Sequence, residues 1–148
     1  MKTVQIKAAS IFLSAFIFAF ADASRGDQMV YSNALQNSWQ SWSWATVDLA
    51  NTSTVHSAPD SIAVTAGAWE ALYFHNTAFD PSAFTNVSFW INGGSSGGQR
   101  LQIQAIYNGS AVGSGIALAP LPTNAWQHIN APMSSLLPPG QEIGRAHV

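Results

Sequence analysis

Apolar and polar residues alternate with a period of two along most of this chain. In residues 86–92, Val87, Phe89 and Ile91 fall on one side and Ser88, Trp90 and Asn92 on the other. Successive side chains of a strand point to opposite faces, so this segment predicts a strand with one apolar and one polar face. Residues 101–107 repeat the pattern, with Leu101, Ile103 and Ala105 opposed to Gln102 and Gln104. The glycine-serine stretch between the two predicts a β-hairpin. If both apolar sides face one core, the register places Trp90 beside Gln102 and Gln104 on the outer face. Similar patterns predict strands over residues 29–31, 42–49, 61–65, 69–75, 115–118 and 126–131. Turn signals separate them at Ala58-Pro59-Asp60, Asp80-Pro81-Ser82, Asn108-Gly109 and from Pro120 to Asn124, while residues 134–140 read as a loop. No segment carries a long amphipathic helical period. The fold class expected is all-β, an antiparallel β-sandwich.

An indole among amides on an outer face suits a pyranose ring, whose C–H face stacks on the aromatic while its hydroxyls bond the amides. The competing reading is a structural edge tryptophan covered by a loop. In residues 69–75, Leu72 and Phe74 are assigned inward, which turns Tyr73 and His75 outward. The candidate ligand contacts are therefore Trp90 for stacking, Gln102, Gln104 and Asn92 for hydrogen bonds, and Tyr73 and His75 as a second line. Trp42 and Trp44 share one strand face, and at least one of Trp39, Trp42 and Trp44 is expected in the core. Trp126 is assigned a structural role.

The chain starts with Lys2 and Lys7, an apolar run from Ile11 to Phe18, and small residues at Ala19, Ala21 and Ala23. This is the pattern of a secretory signal peptide over residues 1–23. The run is shorter than the roughly 20 apolar residues of a membrane span. The product expected is secreted, extracellular and free of the membrane after cleavage. Residues 142–148 (Glu142 to Val148) continue no pattern and match one reading frame of a common sequencing adapter. They are expected to be artefact, with the natural frame running on past Gln141. Residues 24–141 then form one domain.

The chain has no cysteine, so disulfides do not stabilise it. Between residues 24 and 141 the only basic side chains are Arg25 and Arg100, which excludes a nucleic-acid footprint. Ser, Thr, Asn and Gln supply the polarity, as suits a neutral hydroxylated ligand. Sequons stand at Asn51, Asn86 and Asn108, with Asn51 and Asn108 expected in turns and Asn86 on the side of Trp90. Catalysis is hard to assemble. Glycoside hydrolysis usually needs two flanking carboxyl groups, and Glu70 is the only glutamate between residues 24 and 141. His56, His75 and His128 lack zinc spacing, and no Gly-x-Ser-x-Gly elbow is present.

Several motifs together resemble the galactose-binding-like jelly-roll carbohydrate-binding modules. They are Val30-Tyr31, Trp39-Gln40-Ser41-Trp42-Ser43-Trp44, Val55-His56-Ser57-Ala58-Pro59-Asp60-Ser61-Ile62, Phe89-Trp90-Ile91 and the stretch from Trp126 to Leu136. The resemblance implies a secreted jelly-roll sandwich that recognises a neutral polysaccharide and is often attached to polysaccharide-active enzymes. It also implies that this chain stops before the last strand. There the family commonly carries acidic residues that meet the domain start around a structural calcium. Asp27 matches the N-terminal side of that site, while its partners would lie past the chain, so calcium stays open and no other cofactor is expected. Two alternatives stand beside a free binding module: the targeting module of a longer polysaccharide-active enzyme, and a structural or adhesive extracellular domain.

Overall fold

A computed structural model describes residues 2–6, 11–18 and 27–137. The strands are β1 (Lys2–Ile6), β2 (Ile11–Phe18), β3 (Gln28–Tyr31), β4 (Gln40–Ser41), β5 (Thr46–Asn51), β6 (Ser61–Thr65), β7 (Leu72–Asn76), β8 (Asn86–Asn92), β9 (Gln102–Tyr107), β10 (Ser110–Ala117) and β11 (Trp126–Pro132). One helical turn, α1 (Met133–Leu136), and a 3-10 turn at Pro81–Ala83 complete the described elements. The strands form a five-stranded sheet in the order β10-β9-β1-β7-β4 and a six-stranded sheet in the order β11-β8-β2-β6-β5, with β3 also on β2. All pairings are antiparallel. The chain is an antiparallel, nearly all-β structure, as its period-two pattern predicts.

The core lies between the inward residues of both sheets. Leu72 and Phe74 of β7 and Leu101 and Ile103 around β9 meet Ile62 and Val64 of β6 and Val87, Phe89 and Ile91 of β8, all essentially buried. The inward assignments of Leu72 and Phe74 hold. Among the tryptophans Trp39 is the core residue, packed on Phe79 at 5.0 Å between ring centroids. Trp39 thus meets the expectation that at least one of Trp39, Trp42 and Trp44 is core, while Trp42 and Trp44 stand 47 % and 49 % exposed.

The hairpin expected across the glycine-serine stretch does not form. β8 pairs with β11 and β2 in one sheet, whereas β9 pairs with β10 and β1 in the other. Residues 93–101 cross between the sheets and are clamped on the segment before β11. The Gly98 N–H donates to the Leu121 carbonyl at 2.7 Å, the Leu121 N–H to Gln99 O at 3.1 Å, and the Asn124 N–H to Gly94 O at 2.8 Å. A Cβ on Gly93 would stand 2.7 Å from Pro122 O, and one on Gly97, at φ +59°, would collide with Thr123. The glycines are there for close backbone approach, a use that alternation cannot distinguish from a hairpin turn. The true hairpin is β9–β10, turned by Asn108 (φ 50°) and Gly109 (φ 78°), the Asn-Gly pair that a two-residue turn favours. The loop expected over residues 134–140 begins instead with α1.

β1 and β2, which the sequence reading assigns to a leader, stand inside the sheets. β1 lies between β7 and β9, and β2 between β6 and β8. The cleavage region, residues 19–23, and the tail 142–148 lie outside the described residues.

Tyr31 ties the core to β5. Its ring is buried and its hydroxyl donates to the Leu49 carbonyl at 2.8 Å. Burial first, then the Asp60 and Asp48 carboxylates, push its pKa up to about 12. The native state therefore keeps a proton that the unfolded chain releases near pH 10. The stability this contributes is complete below about pH 10 and is lost as pH rises toward 12. Tyr31→Phe is expected to cost about 1 kcal/mol at neutral pH, because Leu49 loses its donor. It is also expected to flatten the alkaline decline, read by denaturant unfolding at pH 7, 9.5 and 11.

Candidate functional site

The exposed aromatics converge on the outer face of the five-stranded sheet. After β4 the chain continues beside β7, with the Trp42 N–H donating to Tyr73 O at 2.8 Å and the Trp44 N–H to Ala71 O at 3.2 Å. The intervening Ser43 accepts from the Tyr73 N–H at 2.9 Å. This extended Trp-Ser-Trp run puts both indoles on one side, where Tyr73 already points because Leu72 and Phe74 face the core. The Trp42 and Tyr73 rings lie 6.4 Å apart between centroids, and the Trp44 and Tyr73 rings 5.7 Å apart. Each indole N–H is anchored: Trp42 Nε1 donates to Gln40 Oε1 at 3.0 Å, and Trp44 Nε1 to the Trp69 carbonyl at 2.7 Å. Trp69 itself is 81 % exposed. The result is a row of rings whose orientation is set while their faces stay half open.

His75 follows Tyr73 on the same face but does not reach solvent. Trp42 stacks on its imidazole at 3.7 Å and 17°, leaving it 1 % exposed. The expectation of an outward contact is corrected: His75 is the support under Trp42. Both its ring nitrogens are buried without a hydrogen-bond partner among the described residues. Burial lowers its pKa from the ordinary 6.5. As pH falls below about 6.5 the unfolded chain takes up a proton that the native state resists, so stability present above that pH is lost in acid. The melting temperature is expected to fall from pH 7 to pH 5. His75→Phe, which keeps a ring under Trp42, should reduce that fall in a calorimetric pH series.

Gln102 and Gln104 of β9 share this outer face, since Tyr73 and Gln104 both lie opposite Gln5 of β1. Two strand spacings put them about 10 Å apart. Their amides are engaged with β10: Gln102 Nε2 donates to Ser114 O at 2.8 Å, and Gln104 Nε2 to Val112 O at 2.6 Å and Ala105 O at 3.2 Å. What Gln104 offers a ligand is its carbonyl oxygen.

Trp90 lies elsewhere. Its register with β11 and its alternation with buried Phe89 and Ile91 put it on the outer face of the six-stranded sheet. The juxtaposition of Trp90 with Gln102 and Gln104 is therefore corrected, because it depended on the hairpin that does not form. His56 stacks on the Trp90 ring at 4.1 Å and 18°, His128 tilts against it at 4.9 Å, and Trp126 meets His56 edge-on at 5.5 Å. His128 Nε2 also shares a 2.7 Å hydrogen bond with Ser88 Oγ. Asn92 is buried and caps the crossing loop through Oδ1, which accepts from the Gly94 N–H at 2.8 Å. It presents no outward amide.

Asn51 is likewise enclosed, contrary to the expected turn. Its Nδ2 donates to Ser61 Oγ at 2.7 Å and Thr54 O at 3.2 Å. A glycan on that nitrogen would break this knot. Asn108 is exposed at the β9–β10 turn, and Asn86 is half-buried at the start of β8, its Nδ2 donating to Thr85 Oγ1 at 3.0 Å. Asp27 is exposed, and among the described residues no three His, Cys, Asp or Glu side chains stand together as a metal site. Glu70 accepts from the Gly67 N–H at 2.8 Å. No helix among the described residues is long and apolar enough to cross a membrane.

The aromatic row missed by alternation was legible as composition. Trp42, Trp44 and Trp69 are three of the six tryptophans. The signal that could have found them is the spacing in Trp42-Ser43-Trp44, where only one face of a strand is aromatic.

No family model matches the chain. Over 116 residues it is 34 % identical to a protein named endoglucanase from Dictyostelium discoideum, a match covering 73 % of this chain and 16 % of that protein. The chain thus corresponds to about a sixth of its relative's length.

Proposed function

We propose that this chain is a polysaccharide-binding module whose ligand lies along Trp42, Tyr73 and Trp44. The single observation that carries the reading is the row of half-exposed rings with anchored indole N–H groups. Rings fixed in advance lose little entropy on binding, and flat aromatic faces suit the C–H faces of sugars with equatorial hydroxyls. Gln102 and Gln104 flank the row as hydrogen-bonding side chains. Similarity to an endoglucanase supports a β-glucan as the polymer. Asp48 Oδ1 caps the Ala50 N–H at 2.9 Å and Asp80 Oδ1 the Ser82 N–H at 3.0 Å, and Glu70 is bonded in its own turn. This favours binding over hydrolysis by these residues, since bond cleavage needs two carboxyl groups facing one sugar.

The relative's much greater length favours a module that serves a longer polysaccharide-active protein. Secretion, cleavage after the leader and a glycan at Asn108 belong to the same proposal, because its polymer is met outside the cell. The test is a depletion assay of the full chain against insoluble β-glucan and, in parallel, a polyuronate. Retention on the neutral polymer alone is the expected result, and no retention on any neutral polysaccharide overturns the reading.

A further inference from the structure

Trp69 is the most exposed of the six tryptophans, and its backbone is the least suited to its side chain. Residues 67–70 form a tight turn in which the Glu70 N–H donates to Gly67 O at 3.3 Å and the Glu70 carboxylate accepts from the Gly67 N–H at 2.8 Å. Trp69 holds the third position at φ 69°. A turn with positive φ at that position alone has the type II pattern, and the slot selects glycine or asparagine. Elsewhere among the described residues the non-glycine positions of positive φ are Asn37, Ser38, Asn108 and Asn124, all small and polar. A bulky aromatic in the left-handed region is an outlier. Backbone strain and a widened apolar surface are both costs to the folded chain, and such exceptions collect where a ligand is held.

The backbone carries this turn to the end of the aromatic row. Beside residues 42–44 the carbonyls of Tyr73, Ala71 and Trp69 accept in succession from the Trp42 N–H, the Trp44 N–H and the Trp44 indole N–H. Trp69 is therefore the next station past Trp44. Its carbonyl orients the Trp44 ring, and any residue would supply that carbonyl. Anchoring Trp44 thus does not explain why the strained slot holds a tryptophan.

We infer that Trp69 is a further ligand contact, which extends the sugar-binding face by one ring past Trp44 and makes affinity grow with the length of the glucan chain. The inference rests on the polysaccharide-binding reading above and adds a residue to its row. The turn fixes the indole in advance at a cost to folding, so the ring meets the polymer with little further loss of freedom.

The experiment compares Trp69→Asn and Trp69→Tyr with the unchanged full chain. Asparagine suits the left-handed slot and keeps the carbonyl that Trp44 uses, while tyrosine keeps a ring in the strained position. The readouts are depletion on insoluble β-glucan, calorimetric titration with cellotriose and cellohexaose, the melting temperature, and exchange of the Trp44 indole N–H with solvent. Trp69→Asn is expected to melt about 2–4 °C higher, as strain is relieved, and to leave the Trp44 indole N–H as protected as before. It should lose about fivefold in affinity for the polymer and for cellohexaose, and less than about twofold for cellotriose. Trp69→Tyr should melt with the unchanged chain and recover most of the affinity. Undiminished retention of Trp69→Asn overturns the inference and leaves the module reading intact, as does an equal loss toward both oligomers or an equal loss in Trp69→Tyr. A lower melting temperature or a deprotected Trp44 indole in Trp69→Asn makes Trp69 a structural support and also overturns it. No retention of the unchanged chain on any neutral polysaccharide overturns both readings.

Discussion

Trp42→Ala and Trp44→Ala are each expected to cut retention on insoluble β-glucan at least tenfold, while Trp90→Ala leaves it within about twofold. A ring that is held in place and half open loses most of its contact area when truncated, and such anchors typically cost 2 kcal/mol or more, roughly thirtyfold in affinity. Trp42 also roofs His75, so its removal admits water to a buried imidazole and has a stability component. Trp42→Phe separates the two, since a smaller ring still covers His75 and should give an intermediate loss of retention with little change in melting temperature. Trp44, bonded to the Trp69 carbonyl and not stacked on His75, gives the cleaner readout. Trp90 lies under His56 on the opposite sheet. If Trp90→Ala abolishes retention and the Trp42 and Trp44 variants do not, the polymer binds the six-stranded sheet and the proposed face is wrong.

Residues 24–141 expressed alone are expected to give no folded monomer. β7 and β9 are both antiparallel to β1, and β6 and β8 are both antiparallel to β2. Each flanking pair therefore runs parallel within itself, and the gap between its members accepts an antiparallel strand. Here β1 and β2 fill those gaps with ladders running from Lys2–Asn76 to Ile6–Leu72 and from Ile11–Val64 to Leu13–Ile62. Deleting them exposes the facing rows of β6, β7, β8 and β9 in the middle of the sandwich and strips β3 of its partner, leaving the kind of edge that recruits other chains.

The sequence of β2 is itself a poor match for that position. It is apolar at consecutive positions from Ile11 to Leu13 and from Ala15 to Phe18, whereas β8 and β6 beside it alternate. If residues 1–23 are removed, both gaps must be filled by other strands. Size-exclusion chromatography and near-ultraviolet circular dichroism of residues 24–141 should show aggregate and a weakened tryptophan signal. The full chain of residues 1–148 should run as a monomer. A monomeric, cooperatively unfolding 24–141 chain contradicts this.

Strand existence was legible wherever one face is buried and the other is not. Residues 61–65 and 86–92 were read to the residue, because Ile62 with Val64, and Val87 with Phe89 and Ile91, leave only one parity that covers the core. Residues 42–49 were read as one strand and are in fact the edge run beside β7 followed by β5. Trp42 and Trp44 alternate as a buried strand would, yet their apolar side faces solvent. Alternation reports that two faces differ, not which of them is the inside.

By itself the sequence determined the all-β class, the inward residues of β7, β8 and β9, the Asn108-Gly109 turn and the scarcity of charge. These follow from local rules: side-chain period, turn stereochemistry and composition. Only the tertiary structure decided that β8 and β9 belong to different sheets. That one fact separates Trp90 from Gln102 and Gln104, buries Asn92 as a cap, and gathers Trp42, Trp44 and Tyr73 on a face of their own. The reason is physical. Strand pairing is a contact between residues far apart in the chain, and a glycine-rich loop closes a hairpin or crosses a sandwich with equal local ease until the partner segment, here Leu121 to Asn124, is in place.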